Sequence, residues 1–505
     1  MTDQSMVKKV IKNTGLGILF KLLLMILTFA NRTVFIHTLN EDYLGINGLF
    51  SNILSVLALA DLGVNTVLMF FLYEPLANGD HEKLGSLIKT FRKIYVGIAA
   101  AVAGVGALMI PFLPLIITGS TIPMGELTWY YVLYVVNSAA SYLAVYKSTL
   151  LLADQKAYLV NFVHFIVAVL QNLAYIAVLY ITHNYTLYLC AMISGTVLNN
   201  IILTAITNRH YPYIKKITAE SSSKEVKIKI IASIKSVFLY RVGATVMNST
   251  DNILISMILS TAMVGFYSNY VLITANLLML LSFFSQAVMA SLGNYNVKAS
   301  KENQEKVFRT VQLIYFGIGS FCAACLVSMM NDFMNWWIRN PKYILPQSFV
   351  YVLAFKLFVD IIMSPNWMFR EASGLFKEIR YTMLWAAFLN VGLSVILGLI
   401  IGLHGIVLAT VVSKLLTLFW YEPKTFYHKV FNQPLSRYWL YQGKLILVAI
   451  CVIVLTCILS INIGSGLGSC VLKVIVSGIV TLGVFIFSFY KTEEGFFLKG
   501  LLKIK

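Results

Sequence analysis

Charge is scarce in this chain, and acidic charge is scarcer still. Only 12% of its 505 residues are Asp, Glu, Lys or Arg, and Asp and Glu together number 21; ordinary soluble domains carry about 25% charge. With 59% hydrophobic residues and a mean hydropathy of +0.79, the chain cannot cover itself with a water-soluble surface. Long polar stretches are missing too, so no soluble domain is expected. Six cysteines scattered through apolar segments exclude a disulfide framework. Cys322-Ala323-Ala324-Cys325 has redox-type spacing but lies in an apolar run, where small packing residues are the better reading. His37, His164 and His404 lie at or near segment ends without clustered ligands, so no metal is expected. No Gly-rich loop followed by Lys-Ser/Thr occurs in a polar segment, which argues against direct use of ATP, and no cofactor is expected.

What fills the chain instead is a series of long apolar windows. Each has 18 or more mostly apolar residues, enough for a hydrocarbon core of about 30 Å. They run roughly over 14 to 38, 44 to 73, 92 to 118, 127 to 152, 158 to 182 and 185 to 207. A second set covers about 233 to 259, 262 to 292, 310 to 331, 346 to 369, 380 to 402, 404 to 421, 441 to 462 and 468 to 490. The expectation is an all-α polytopic membrane protein of fourteen transmembrane helices. The first window has no small-residue cleavage site and is too long for a signal-peptide core, so it is read as helix 1.

Basic residues in short loops stay on the cytoplasmic side. Lys8, Lys9 and Lys12 precede helix 1; Lys83, Lys89, Arg92 and Lys93 follow helix 2; Lys215, Lys216, Lys224, Lys227 and Lys229 follow helix 6. Lys298, Lys301, Lys306 and Arg309 follow helix 8, Arg370, Lys377 and Arg380 surround the next even turn, and Lys499, Lys503 and Lys505 end the chain. The opposite loops hold only Arg339 and Lys342. Both termini are therefore expected in the cytoplasm. The net charge of +18 is mostly this pattern, with some attraction to anionic lipid, and calls for no nucleic-acid partner.

Two stretches repeat each other at an offset of 220 residues. Lys89-Thr90-Phe91-Arg92-Lys93-Ile94-Tyr95-Val96-Gly97-Ile98 aligns with Arg309-Thr310-Val311-Gln312-Leu313-Ile314-Tyr315-Phe316-Gly317-Ile318. The same offset pairs Glu82 with Glu302, Gly45 with Gly265, and Lys21 with Arg241. Apolar segments align with one another easily, but Thr, Tyr, Gly and basic residues do not, so the pattern reads as a duplication. The expected domains are an N-terminal six-helix bundle at 1–207, a basic cytoplasmic connector at 208–231, a second six-helix bundle at 232–430, and an additional helical pair with a basic tail at 431–505. Six is an even number, so the bundles face the same way and are related by a parallel pseudo-two-fold along the membrane normal. Transporters built from such repeats hold their site between them.

The candidate site is a polar stripe. Lys21, Thr28 and Arg32 in helix 1 are spaced i, i+7, i+11, which places them within about 40° of arc. Helix 7 presents Arg241, Thr245, Asn248 and Asn252 on one face, and the offset matches Lys21 with Arg241, Thr28 with Asn248, and Arg32 with Asn252. A basic residue near the middle of a span costs about 2.5 to 3.5 kcal/mol on insertion scales, so such residues normally face a bundle interior or a water-filled cavity. The alternative is snorkelling of Lys21 and Arg32 to opposite headgroup layers, since they lie about 16 Å apart along the axis. Snorkelling does not explain a polar face at equivalent depths of helix 7. A shared cavity is the preferred reading, with Arg241 the first choice among its cations.

Other charges leave two readings open. Lys356 and Asp360 are i, i+4 and form either a structural ion pair or a proton- or ion-coupled switch. Asp61 either binds a coupling ion or caps a helix break near Gly63. Asp251 adjoins the helix 7 stripe, where it would either serve ion coupling or balance Arg32. The 28 tyrosines are mostly assigned to an interfacial belt.

The segments Arg32-Thr33-Val34-Phe35-Ile36, Asp42-Tyr43-Leu44-Gly45-Ile46-Asn47-Gly48-Leu49-Phe50 and Leu59-Ala60-Asp61-Leu62-Gly63 resemble the amino-terminal signature of bacterial polysaccharide repeat-unit flippases of the Wzx type. These belong to the multidrug/oligosaccharidyl-lipid/polysaccharide (MOP) exporter superfamily, with the multidrug and toxin extruders and the lipid II flippases. The layout is similar over nearly the whole chain. The resemblance implies that undecaprenyl-pyrophosphate-linked oligosaccharide repeat units are flipped by alternating access from the inner to the outer leaflet of a bacterial plasma membrane, for surface polysaccharide of the capsule or O-antigen type. It implies lipid-linked glycan, membrane lipids and polysaccharide polymerase machinery as partners, and a monomer is expected. Independently, a cavity with Lys21, Arg32 and Arg241 suits a pyrophosphate, and Asn248 and Asn252 suit phosphate or sugar.

Two departures narrow the substrate. The basic residue that lipid II flippases carry in helix 2 has no counterpart here, which puts peptidoglycan precursor in doubt. Helix 1 is basic where drug extruders tend to be acidic, which counts against cationic drugs. The alternative function is an ion-coupled multidrug or small-anion exporter of the same superfamily. A glycan polymerase or ligase needs a substantial extracytoplasmic loop, and the longest outer connection is about 15 residues near 331 to 346; no enzyme is expected.

Overall fold

The structure is a computed structural model that describes residues 3–58, 63–216, 223–298 and 300–496. Among the described residues all regular structure is helical. The first part comprises α1 (Asp3–Thr38), α2 (Glu41–Leu57), α3 (Val64–Asn78), α4 (His81–Met109), α5 (Met124–Ser141), α6 (Val145–Ala153), α7 (Ala157–Thr182) and α8 (Tyr185–His210). Then follow α9 (Lys224–Ser249), α10 (Asp251–Ile258), α11 (Thr261–Lys298), α12 (Lys301–Ile338), α13 (Gln347–Ile362), α14 (Ser364–Ala372), α15 (Phe376–Ile401), α16 (Leu403–Leu416), α17 (Leu418–Phe426), α18 (Leu435–Ser460) and α19 (Leu467–Phe489).

Eleven helices among the described residues are long and apolar enough to cross a membrane. The three sequence windows outside that set, 44 to 73, 127 to 152 and 233 to 259, coincide with helices that break partway: α2/α3, α5/α6 and α9/α10. A count of fourteen depends on taking each broken pair as one span. The first break ends at Gly63, whose φ of 97° is open to glycine at little cost.

Element boundaries recur with the offset read from the sequence. The ends of α1 and α10, Thr38 and Ile258, are 220 residues apart, as are the starts of α2 and α11, Glu41 and Thr261, and of α4 and α12, His81 and Lys301. From α6 onward the offset is 219: Val145–Ala153 matches Ser364–Ala372, and Ala157–Thr182 matches Phe376–Ile401. Caps repeat too. The Asn40 side chain accepts from the Tyr43 N–H, and at the same offset the Ser260 hydroxyl accepts from the Met263 N–H. Asp80 and Ser300 likewise cap α4 and α12. Each cap satisfies an N–H that the first turn leaves without a partner. Thr90 and Thr310 are both buried and both donate to the carbonyl four residues back, at 2.9 Å, and Tyr95 and Tyr315 are both fully buried. Local physics therefore repeats where the sequence does.

The chain divides into two compact units, Met1–Gly265 and Phe266–Lys505. The helix that opens the second repeat packs in the first unit. Ser256 donates to the Ile116 carbonyl at 2.7 Å, the Thr118 hydroxyl donates to the Ser256 carbonyl, and the Thr261 N–H donates to the Thr118 carbonyl at 2.9 Å. Buried Asp42 fastens the same end, accepting from the Thr121 N–H at 2.8 Å and from its hydroxyl at 2.5 Å. Gly45 and Gly265, paired by the repeat, touch each other: a Cβ on Gly45 would lie 1.9 Å from the Thr261 oxygen, and one on Gly265 would lie 2.7 Å from the Glu41 oxygen. Only glycine admits this approach.

A core around Leu68, Leu72, Phe91, Tyr95, Leu150 and Leu151 fills the first unit. Beside it, Asp154 accepts from the Tyr211 hydroxyl at 2.5 Å and pairs with Lys156 at 2.9 Å. Burial works against the Asp154 charge, but these two partners hold its carboxyl below its ordinary range. In the second unit α12 is central, with α13, α18 and α19 packed on it. Ion pairs bind this unit: Arg370 with Glu422 at 2.5 Å and Lys473 with Asp332 at 2.5 Å.

Because the Thr261 carbonyl occupies the space a methyl would need, Gly45→Ala is expected to lower stability by about 1 to 3 kcal/mol. Gly97→Ala, where a Cβ meets nothing within 4 Å, is expected to leave it unchanged. Thermal unfolding of the two variants in detergent checks this; equal melting temperatures would remove the close approach from the account.

Candidate functional site

Helix α1 lies against α7, with Phe20 stacked on Phe165 at 4.2 Å between centroids. Along α1, Lys21 and Thr28 are exposed and Arg32 is half-buried. Arg32 reaches the unit's interior, close enough to act electrostatically on the hydroxyls of Tyr134 and Tyr188. Its neighbour Asn31 is 9% exposed, and its Oδ1 is buried with no hydrogen-bond partner.

The helix 7 stripe meets α2 and α3. Arg241 is exposed, and its Nη2 donates to the Thr66 hydroxyl at 3.0 Å. Among the described residues no carboxylate pairs with it. Asn252 donates to the Gly48 carbonyl at 3.3 Å, Asn248 donates to the Ala244 carbonyl of its own helix at 2.9 Å, and Thr245 is half-buried. Arg241 and Asn252 thus lie on the side of α9 and α10 that faces the second helix pair. Asp251 is buried, and Asp61 lies outside the described residues.

An element that the sequence reading missed joins Arg32 to one end of the unit. Tyr188 lies beside Asn31 and Asn47, and stacks on Tyr175 at 4.3 Å. Tyr134 and Tyr185 share a hydrogen bond of 3.2 Å between hydroxyls, and Tyr185 packs on Tyr130 and Tyr43 at 4.9 and 5.2 Å. These rings come from α2, α5, α7 and α8 and form a continuous series, each ring presenting a hydroxyl on an apolar body. The belt assignment is corrected for them: Tyr130, Tyr134, Tyr185 and Tyr188 are all buried. The available signal was spacing, since Tyr130 and Tyr134, and Tyr185 and Tyr188, stand on single helix faces.

The second unit holds the other charged candidates. Lys356 pairs with Asp360 at 3.6 Å, as its i, i+4 spacing indicated. A third member, Lys414 of α16, lies closer, with its Nζ donating to Asp360 at 2.5 Å. Two amines thus share one carboxylate. Sequence spacing could not find Lys414, which is 54 residues away. All six cysteines are free, and among the described residues no three His, Cys, Asp or Glu side chains cluster as a metal site requires.

No protein-family model matches the sequence, and no curated protein does. Solved structures do match in fold. The lipid II flippase MurJ in an inward closed conformation superposes with TM-score 0.67 at 13% identity, covering 94% of this chain and 99% of that one. An inward-facing multidrug resistance MATE family transporter of the MOP superfamily superposes with TM-score 0.63 at 15% identity, covering 79% and 94%. The MATE multidrug transporter DinF-BH superposes with TM-score 0.58 at 15% identity, covering 86% and 98%. The chain therefore has the fold of MOP superfamily transporters and flippases.

Removing the shared carboxylate leaves two amines facing each other, and breaking a buried pair typically costs about 3 to 5 kcal/mol. Asp360→Asn is expected to lower the melting temperature markedly, and adding Lys414→Met is expected to recover most of the loss. An Asp360→Asn protein that melts with the wild type would show that the triad contributes nothing to stability.

Proposed function

We propose that the protein is a flippase that moves polyprenyl-pyrophosphate-linked oligosaccharide across the bacterial plasma membrane, and that its headgroup site is the cationic stripe of helices 1 and 7. The observation that carries this reading is Arg241: a guanidinium on a membrane helix, held by the neutral Thr66 hydroxyl and by no carboxylate among the described residues. Three lysines elsewhere in the helices are paired with carboxylates within the protein, Lys356 and Lys414 with Asp360 and Lys473 with Asp332. A guanidinium on a membrane helix with no carboxylate partner among the described residues favours an anionic ligand, and its planar fork matches phosphate oxygens. Arg32 supplies a second cation, with Lys21 at the far end of the same stripe. Thr28, Thr245, Asn248 and Asn252 supply hydrogen bonds to phosphate or sugar.

In this reading the headgroup crosses within the protein while the polyprenyl tail stays in lipid, so the charge never meets hydrocarbon. No bond is made or broken, and the protein acts as a transporter rather than an enzyme, with both termini cytoplasmic. A second reading, an ion-coupled exporter of drugs or small anions, draws on the Asp360 triad, where coupling would require one of the two lysines to leave the shared carboxylate. The same triad, with Asp251 and Asp61, is the natural place to look for coupling in a flippase.

A strain lacking the protein is expected to accumulate lipid-linked repeat units on the cytoplasmic leaflet. Wild type restores outer-leaflet delivery, while Arg241→Ala or Arg32→Ala reduces it at least about 10-fold, the cost of losing roughly 1.4 kcal/mol of headgroup binding. Normal delivery in the deletion strain would refute the flippase reading.

A further inference from the structure

At the end of the tyrosine series lies an open cleft of about 480 Å³, formed wholly within the first unit by α2, α5 and the turn between α7 and α8. We infer that this cleft is a carbohydrate subsite that binds the glycan part of the cargo; the identity of that cargo rests on the flippase reading, but recognition of sugar by the cleft does not.

Its lining has the chemistry of a sugar site. Trp129 is 51% exposed at the cleft, a broad ring open to a ligand face. Tyr130 and Tyr43 form an aromatic wall behind, with centroids 6.1 Å apart. Pyranose rings present C–H groups on their faces and hydroxyls at their edges, so they stack on such rings while polar side chains take the hydroxyls. Glu126 provides the acceptor. The Tyr130 hydroxyl donates to its Oε2 at 3.0 Å, which fixes the carboxylate plane and leaves its other oxygen to accept from a hydroxyl. Across the cleft, His183 and Asn184 are exposed on the turn. His183 adopts φ 50°, and the Asn184 Oδ1 is engaged by the Leu187 N–H at 3.1 Å, which turns its amide N–H₂ group to donor duty. The volume falls within the range of about 300 to 1,000 Å³ usual for small-ligand sites.

A tryptophan near a helix end is often only an interfacial anchor. That role needs neither a wall of packed tyrosines nor a carboxylate locked by one of them, and Glu126 repels the phosphates of lipid headgroups. A carboxylate among aromatic rings also suits an organic cation. The donors of His183 and Asn184 opposite favour a neutral polyol, and the two ligand classes separate experimentally. The cleft is lined by the turn at 183–184 and the start of α5, segments with few basic residues and therefore on the side expected to be extracytoplasmic. The tyrosine hydroxyls link the cleft to Arg32, so a glycan seated here trails from a pyrophosphate held deeper in the unit.

The test uses the full chain in lipid nanodiscs and the oligosaccharide pool released by mild acid from the host's polyprenyl-pyrophosphate lipids, which carries neither pyrophosphate nor tail. Calorimetric titration is expected to show saturable binding that Trp129→Ala and Glu126→Gln each weaken at least tenfold, with melting temperatures unchanged and no competition from tetraethylammonium. Absence of binding to wild type, equal binding by both variants, or displacement by tetraethylammonium would overturn the inference. Binding with normal lipid-linked delivery in the deletion strain would reject the flippase reading and leave the sugar subsite standing. Blocked delivery without binding would do the reverse.

Discussion

The structure depends on one constraint: in an apolar surrounding every charge must be met by an opposite charge, by a set of dipoles, or by a ligand that brings the compensation with it. The second unit meets its charges internally. Asp360 takes two lysines, Asp332 takes Lys473, and Arg370 is bound to Glu422. The first unit has ion pairs too, such as Asp154 with Lys156, but around its candidate site it uses neutral groups. Its interior is lined with tyrosine hydroxyls and asparagine amides, and Arg241 has a neutral hydroxyl as its partner. Neutral dipoles tolerate a cation without cancelling it, which leaves the potential that an anionic cargo would use.

The two repeats therefore share a backbone plan and differ in how their polar groups are spent. Caps at Asn40 and Ser260, buried threonines at 90 and 310, and buried tyrosines at 95 and 315 recur because they serve helix ends and packing, which both copies need. The charge triad on Asp360 and the tyrosine series around Tyr185 each belong to a single unit. Packing also departs from the repeat, since α9 and α10 join the first unit through Gly45, Asp42 and the Thr118–Ser256 contacts.

Much of this was legible in the sequence. Long apolar windows gave the helices, because hydrocarbon thickness sets a length that composition reveals. The 220-residue register, read from a handful of polar identities, extends to helix boundaries as far as α7 and α15, slipping by a single residue on the way. The resemblance motif has a physical basis: Asp42 ties α2 to Thr121, and Gly45 lets a neighbouring backbone approach. Long-range partners were not legible. Lys414 joins Asp360 from a separate helix, and tyrosines that suggested a membrane interface are drawn inward by one another's rings and hydroxyls. Spacing places Tyr130 with Tyr134 and Tyr185 with Tyr188 on single helix faces, but it does not say whether such a face meets headgroups or other tyrosines.

The central claim is that Arg241, which pairs with no carboxylate among the described residues, serves an anionic headgroup. It is tested most directly by titrating purified protein with a short-chain polyprenyl pyrophosphate at several salt concentrations, comparing wild type with Arg241→Lys and Arg241→Gln. The account predicts tight binding by wild type, weaker binding by the lysine variant because it lacks the planar fork, loss in the glutamine variant, and a salt dependence that falls with the charge. Equal affinities across the three proteins would contradict it.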